Sequence, residues 1–196
     1  RSCASITAEL NKPAVLQEFL LDHSIDILFL SETWLTTDSL TSTLNSLTPP
    51  NYSLIHCPRL DRRGGGLAVI YRSHLKIKKL SIPSFTSFES LCVQLTLSSS
   101  SYTFLNIYRP PLLSIPQFIS DFSSLLEHFA SSPSEIIITG DFNIHIDIPT
   151  APYVSSFLSL LDTFDLQQHV NFPTHTSGHT LDLLITKSSS TLISET

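Results

Sequence analysis

At 196 residues the chain is long enough for one domain with a real core. It is 41% hydrophobic, with 12 Phe, and only 14% charged, which excludes intrinsic disorder and leaves Ser and Thr to fill much of the polar surface. The net charge of −6 argues against a uniformly basic nucleic-acid binder, and no run reaches the roughly 18 apolar residues of a spanning helix, so no membrane partner is expected.

In chain order, Pro13 opens a helix that carries Val15, Leu16, Phe19 and Leu20 on one apolar face. DILFLSE at 26–32 reads as a buried strand with acids at both ends. TTDSLTSTLNSLTPP is Ser/Thr-rich, closes on Pro49-Pro50 and reads as a long surface loop with room for one helical turn. YSLIHC at 52–57 is a strand, PRLDRRGGG a turn, and GLAVIYR at 66–72 a second apolar strand. IKKLSI at 77–82 is shorter and more polar, as an edge strand is.

In ESLCVQLTLS the residues Leu91, Val93, Leu95 and Leu97 alternate with others, and with YTFLNIY at 102–108 they predict an antiparallel hairpin. Ile115, Phe118, Ile119, Phe122, Leu126 and Phe129 recur at helical spacing, up to Pro133. EIIITG at 135–140 is a strand of β-branched residues. A helix follows over about 153–161, with Val154, Phe157, Leu158 and Leu161 inward. TLDLLI at 180–185 is a last buried strand.

The strands and helices together describe an α/β sandwich. Without a repeat or a long linker, residues 1–196 are expected to form a single domain. A dinucleotide-binding sheet is excluded because no Gly-x-Gly-x-x-Gly follows a strand, and the glycines at 64–66 fit a turn. Cys3, Cys57 and Cys92 are odd in number and far apart, which suits a reducing compartment better than a disulfide framework.

The distribution of charge qualifies the net value. Arg59, Arg62, Arg63, Arg72, Lys76, Lys78 and Lys79, seven of the 11 basic residues, lie in one stretch with Asp61 as its only acid. Such a stretch is either a solvated face or a phosphate-contact surface, since affinity for a phosphate backbone depends on local charges.

Four polar groups mark strand ends: Glu32 after DILFLS, Asp141 and Asn143 after EIIITG, and Tyr108 at the end of YTFLNIY. Asp182 interrupts an apolar strand, where an unpaired carboxylate costs several kcal/mol. Each alone reads as a strand end meeting water. Together they suggest oxygen ligands for a hard divalent ion, provided that Glu32, Asp141 and Asn143 converge from distant sequence.

The stretches SETWL at 31–35, RRGGGLAVIYR at 62–72, NIYRPP at 106–111, GDFNIHID at 140–147 and THTSGHTLDLLI at 174–185 occur in an informative order. In these stretches the chain resembles the endonuclease domains of LINE-type (non-LTR) retrotransposons. Those domains belong to the endonuclease/exonuclease/phosphatase superfamily with the apurinic/apyrimidinic endonucleases and DNase I. The resemblance implies a DNase I-like, four-layered α/β sandwich of two mostly antiparallel sheets flanked by helices. It also implies that terminal strands are missing, because the chain is then incomplete at both ends. RSCASITAELNK would follow the first strand, and the family's metal-site asparagine would lie before Arg1.

By the same resemblance Glu32 is the metal ligand, for Mg²⁺ with Mn²⁺ able to replace it. Asp141 and Asn143 orient the attacking water and hold phosphate oxygens, Tyr108 donates near the scissile phosphate, and Asp182 orients a catalytic histidine. Thr174 would sit at the rim of the substrate groove, with Arg62, Arg63, Lys78 and Lys79 as further nucleic-acid contacts. The implied activity is metal-dependent nicking of DNA by a monomer within a longer polyprotein that includes a reverse transcriptase, nuclear if the element is active.

The family's Ser-Asp-His does not occur in these 196 residues, and His175 and His179 read as plain loop histidines. The chain alone is therefore expected to nick poorly. The rival expectation is a catalytically inactive remnant that at most binds nucleic acid. A phosphatase or phospholipase of the same superfamily is a third reading, disfavoured by SETWL and NIYRPP.

Overall fold

The computed structural model describes residues 2–7, 13–39, 41–59, 64–98 and 100–193. The first sheet joins strands β1 (Cys3–Thr7), β2 (Ile27–Ser31), β3 (Tyr52–Cys57) and β4 (Leu67–Arg72) in the order β1-β2-β4-β3. The second joins β5 (Lys76–Leu80), β6 (Glu89–Leu97), β7 (Ser100–Tyr108), β8 (Glu135–Asp141), β9 (Leu166–Gln168) and β10 (Asp182–Lys187) in the order β5-β6-β7-β8-β10-β9. Only β1 with β2 and β7 with β8 run parallel; the other neighbours are antiparallel.

Three apolar interiors separate four layers. Helices α1 (Pro13–Asp22) and α2 (Thr41–Leu47) cover the outer face of the first sheet, where Leu16, Leu20 and Leu47 meet Leu28, Leu30, Tyr52, Ala68 and Ile70. Between the sheets, Ile27, Phe29, Leu67 and Val69 pack on Leu91, Val93, Leu95 and Phe104. Helices α3 (Ile115–Phe129) and α4 (Pro152–Thr163) cover the second sheet through Phe118, Phe122, Leu125, Val154, Phe157 and Leu161. The alternation along a strand explains the sequence pattern. In β2, Ile27 and Phe29 face the other sheet while Leu28 and Leu30 face the helices, so all five residues are buried.

The expected four-layered sandwich is therefore the fold, with local corrections. Cys3–Thr7 is itself a strand at the edge of the first sheet, where the resemblance had put the segment after a strand. Its few apolar residues gave no signal of their own, and parallel pairing with β2 supplies the order. The loop after Thr36 contains a full helix, α2, which Leu47 anchors by burial. Val15 lies off the buried stripe of α1 at 59% exposure, while Leu16 and Leu20 are buried in the core and Phe19 packs against it. The short β9 was unmarked in the sequence; it pairs with β10 at the far edge.

The register then sets the site. Tyr108 pairs with Asp141 across β7 and β8, and Asp141 pairs with Asp182 across β8 and β10. Glu32 follows the last residue of β2 in the other sheet. Asn106, on the same face of β7 as Tyr108, is fully buried, and its Nδ2 donates to the Leu30 carbonyl at 2.9 Å. That bond ties the two sheets one step below the site. A buried amide at this place costs about 1–3 kcal/mol unless it finds such a partner.

Gly140 is the backbone condition for this register. Its φ is 129°, and a Cβ there would lie 1.9 Å from the Ile107 carbonyl oxygen on β7. Gly140→Ala is expected to destabilise the protein by roughly 3 kcal/mol, through overpacking and a disfavoured φ. Urea denaturation followed by circular dichroism measures this.

Candidate active site

Asp141 closes β8, and the chain turns sharply after it: Asn143 has φ 48°, and its N–H donates back to Asp141 Oδ1 at 3.0 Å. The turn is held from behind by Arg109, which is fully buried. The Arg109 guanidinium donates to the carbonyls of Phe142 (2.7 Å), Asn143 (2.6 Å), Leu113 (2.7 Å) and Pro110 (3.2 Å). In return Asn143 Nδ2 donates to the Arg109 carbonyl at 2.9 Å. The loop after β7 and the loop after β8 are thus one hydrogen-bonded unit, and a planar fork of five donors is the side chain suited to this.

Asp141 is 8% exposed. Burial first, and then the charge of Asp182 beside it, push its carboxyl up to about 7, with Glu32 adding in the same direction and the Asn143 bonds opposing. Tyr108 donates its hydroxyl to Glu32 Oε1 across the gap between the sheets. Burial, followed by that bond and the Glu32 charge, pushes the phenol well above its ordinary value, so it stays a neutral donor. Glu32 itself has φ 56° and Trp34 φ 55°, a left-handed turn. The turn is stapled by Thr33 N–H to the Gly66 carbonyl (3.1 Å) and Trp34 N–H to the Gly65 carbonyl (2.8 Å).

Glu32, Tyr108, Asp141, Asn143 and Asp182 therefore lie at one end of the two sheets. Their donors are carboxylates and an amide, the hard oxygen set that suits a divalent ion such as Mg²⁺. Among the described residues, however, no three His, Cys, Asp or Glu side chains converge as an ion cage. Glu32 extends from the first sheet and is turned onto Tyr108, and its charge reaches Asp141. Such an ion would be held by few protein ligands and would take the rest from water and phosphate oxygens, a common arrangement for Mg²⁺.

Thr174 has a bracing place in the structure. Its Oγ1 accepts from the N–H groups of Leu181 and Asp182, both at 3.0 Å, and so sets where β10 begins. Lys78 and Lys79 lie on β5 at the edge of the second sheet, away from the site. Through Val93, Lys79 stands level with Phe104, four positions before Tyr108 on β7, or about 13 Å along the strand. Arg72 pairs with Asp26 at 3.1 Å at the opposite end of the first sheet. Arg62 and Arg63 lie outside the described residues. His175 bonds Ser177 at 2.6 Å, while His179 bonds Asp147 at 2.8 Å, with its ring 4.0 Å from that of His145.

Sequence reasoning missed three side chains. Arg109 was visible only as the residue after Tyr108. Arg59 was counted in the basic stretch, yet its guanidinium sits over the Tyr108 ring at 5.6 Å and bonds Glu89, which no motif marked. The signal that could have found Glu89 is its place at the start of a strand otherwise apolar on the inner face.

The elevated carboxyl of Asp141 makes a stability prediction. Its folded value of about 7 lies above the ordinary 3.8, so the folded state binds the proton more tightly than the unfolded chain does. Asp141 therefore opposes folding increasingly as pH rises from about 4 through 7. In chelator, Asp141→Asn should melt several degrees above wild type at about pH 8 and level with it near pH 4. Added Mg²⁺ should narrow the gap by stabilising the wild type more than the variant, which keeps Glu32 but lacks the Asp141 charge, as read by differential scanning calorimetry.

The profile of the Endonuclease/Exonuclease/phosphatase family matches residues 4–195. No curated protein matches the sequence. Among solved structures, the chain is similar to the endonuclease domain of TRAS1, a telomere-specific non-LTR retrotransposon, with 11% identity over 93% of this chain and 82% of that one and a TM-score of 0.72. AP endonuclease LMAP from Leishmania major shares 18% identity over 95% of this chain and 78% of its own, with a TM-score of 0.73. A 3′-5′ exonuclease, NExo, from Neisseria meningitidis shares 17% identity over 94% and 86%, with a TM-score of 0.65. At such identities these likenesses carry the fold, and the family profile carries membership. With its strand-end acids, amide and tyrosine gathered at one end of two packed sheets, the chain belongs to the Endonuclease/Exonuclease/phosphatase family, whose members are generally divalent-metal-dependent hydrolases of phosphate esters.

Proposed function

We propose that the chain is a metal-dependent DNA endonuclease domain of the kind carried by LINE-type retrotransposons. The observation that carries this reading is a buried Asp141 beside Asp182 and across from the Glu32–Tyr108 pair, a setting that pushes its carboxyl up to about 7. An acid poised near neutral pH can take a proton from water under ordinary conditions. The order of SETWL, NIYRPP, GDFN and the THTSGHTLDLLI stretch supports the retrotransposon branch. The likeness to the TRAS1 endonuclease domain and to AP endonuclease LMAP supports DNA as the substrate.

In this reading each group has one task. Ionised Asp141 accepts the proton of the water that attacks phosphorus, and Asn143 keeps that carboxylate aimed through its N–H. Tyr108, held neutral, transfers its hydrogen bond from Glu32 to a phosphate oxygen. Asp182 keeps the charge around Asp141 negative and so sustains its basicity. Glu32 would hold a divalent ion, which when bound would offset the negative charge that grows on the phosphate oxygens. The products are a 5′-phosphate and a 3′-hydroxyl, the latter fit to prime DNA synthesis. Residues 1–196 would act as one domain of a larger polyprotein.

A supercoiled-plasmid assay with Mg²⁺ tests the proposal. Slow formation of nicked circles whose 3′ ends a polymerase extends is expected, because these 196 residues contain no Ser-Asp-His, with a rate that rises with pH to an inflection no higher than about 7. Glu32→Ala and Asp141→Asn should each lower that rate by about 10²–10⁴. Nicking that survives Glu32→Ala sinks the assignment. Glu32-independent binding of DNA without any cleavage would support the inactive remnant instead.

A further inference from the structure

We infer that Glu89, with Arg59, is the positioning residue that sets the Glu32–Tyr108 pair. The inference deepens the reading above and rests on it for the meaning of Glu32. Glu89 begins β6, directly across the ladder from Tyr108, and is partly buried. Its two carboxylate oxygens serve two different arms. Oε1 accepts from Arg59 Nε at 2.6 Å and from a second nitrogen of the same guanidinium. Arg59, with its side chain 10% exposed, is thereby held over the Tyr108 ring, whose hydroxyl bonds Glu32.

Oε2 accepts the Gly66 N–H at 2.7 Å. The carbonyls of Gly66 and Gly65 in turn hold the N–H groups of Thr33 and Trp34, the two residues after Glu32. One arm therefore ends on the Glu32 side chain and the other on its left-handed backbone. The space is filled to contact: a Cβ on Gly65 would fall 2.5 Å from both the Arg59 guanidinium carbon and Glu89 Oε1. Three segments from both sheets thus meet on one carboxylate, so its loss would release the ligand from two sides. Residues that orient a metal ligand in this way typically carry about 10- to 100-fold in metal affinity.

Trp34 is the sole tryptophan, two residues from Glu32, so its fluorescence reports the metal and the turn without an activity assay. Mn²⁺ titration should quench Trp34 in the wild type, and Glu32→Gln should remove that quenching. Arg59→Gln then separates two accounts. By charge alone, removing a cation near the site tightens Mn²⁺ binding; by positioning, it weakens it about 10-fold. Glu89→Gln should weaken binding by a similar factor, and the double variant should be no weaker than either single one, as expected for one arm.

In chelator, Glu89→Ala should also shift Trp34 emission and raise its quenching by acrylamide, because the Gly66 arm is lost. Circular dichroism confirms that each variant is folded, and if Glu89→Ala is not, the two Gln variants decide. Binding in Arg59→Gln equal to or tighter than wild type overturns the inference. A wild type with no Glu32-dependent quenching removes the metal reading instead. The inference is then judged on Trp34 in chelator, where unchanged emission and access in folded Glu89→Ala overturn it.

Discussion

The site depends on a contact between two sheets. Glu32 belongs to the end of β2 and Tyr108 to the end of β7, and they meet only because the sheets are held at a fixed offset. Apolar packing between the sheets, Phe29 against Phe104 with ring centroids 5.3 Å apart, supplies cohesion but little direction. Direction comes from the bond of Asn106 to the Leu30 carbonyl, because a buried amide tolerates no sliding. The Tyr108–Glu32 bond is the same tie repeated at the mouth of the gap.

Behind that contact the second sheet places its acids by register alone. Asp141 and Asp182 stand opposite each other on β8 and β10, so their charges add across one ladder step. Such a pair is unfavourable in the folded state without a cation, and the remainder of the site compensates. Arg109 ties the two loops with four carbonyl bonds, and Thr174 collects two amides at the start of β10. The stiffness of these loops keeps the repelling carboxylates close, at a cost in stability.

The charge map follows the same division. The basic stretch looked continuous in sequence, yet the fold disperses it. Arg72 is consumed by Asp26 at the far end, and Lys78 and Lys79 run along an outer strand edge, where lysines blunt edge pairing. Among the described residues of that stretch, Arg59 alone reaches the site, and it is held by Glu89. A net charge of −6 is thus compatible with work on a polyanion only if a cation at the acids and a few local donors carry the electrostatics.

By itself the sequence determined the elements whose side-chain period reports their burial. β2, β4, β6, β7, β8, α3 and α4 follow from apolar spacing, and GDFN, NIYRPP and SETWL mark the ends at which Asp141, Asn143, Tyr108 and Glu32 stand. It left β1, α2 and β9 undetermined, since these short segments take their order from neighbours more than from a period of their own. Only the tertiary structure decided that Glu89, Arg59 and Arg109 belong to the site and that Asn106 ties the sheets beneath it. Their partners lie 30 residues away for Arg59 and Glu89, 33 and 34 for Arg109 with Phe142 and Asn143, and 76 for Asn106 with Leu30. A hydrogen bond between such distant groups leaves no periodic trace in the chain, because the register of two sheets, and not local spacing, brings donor and acceptor together.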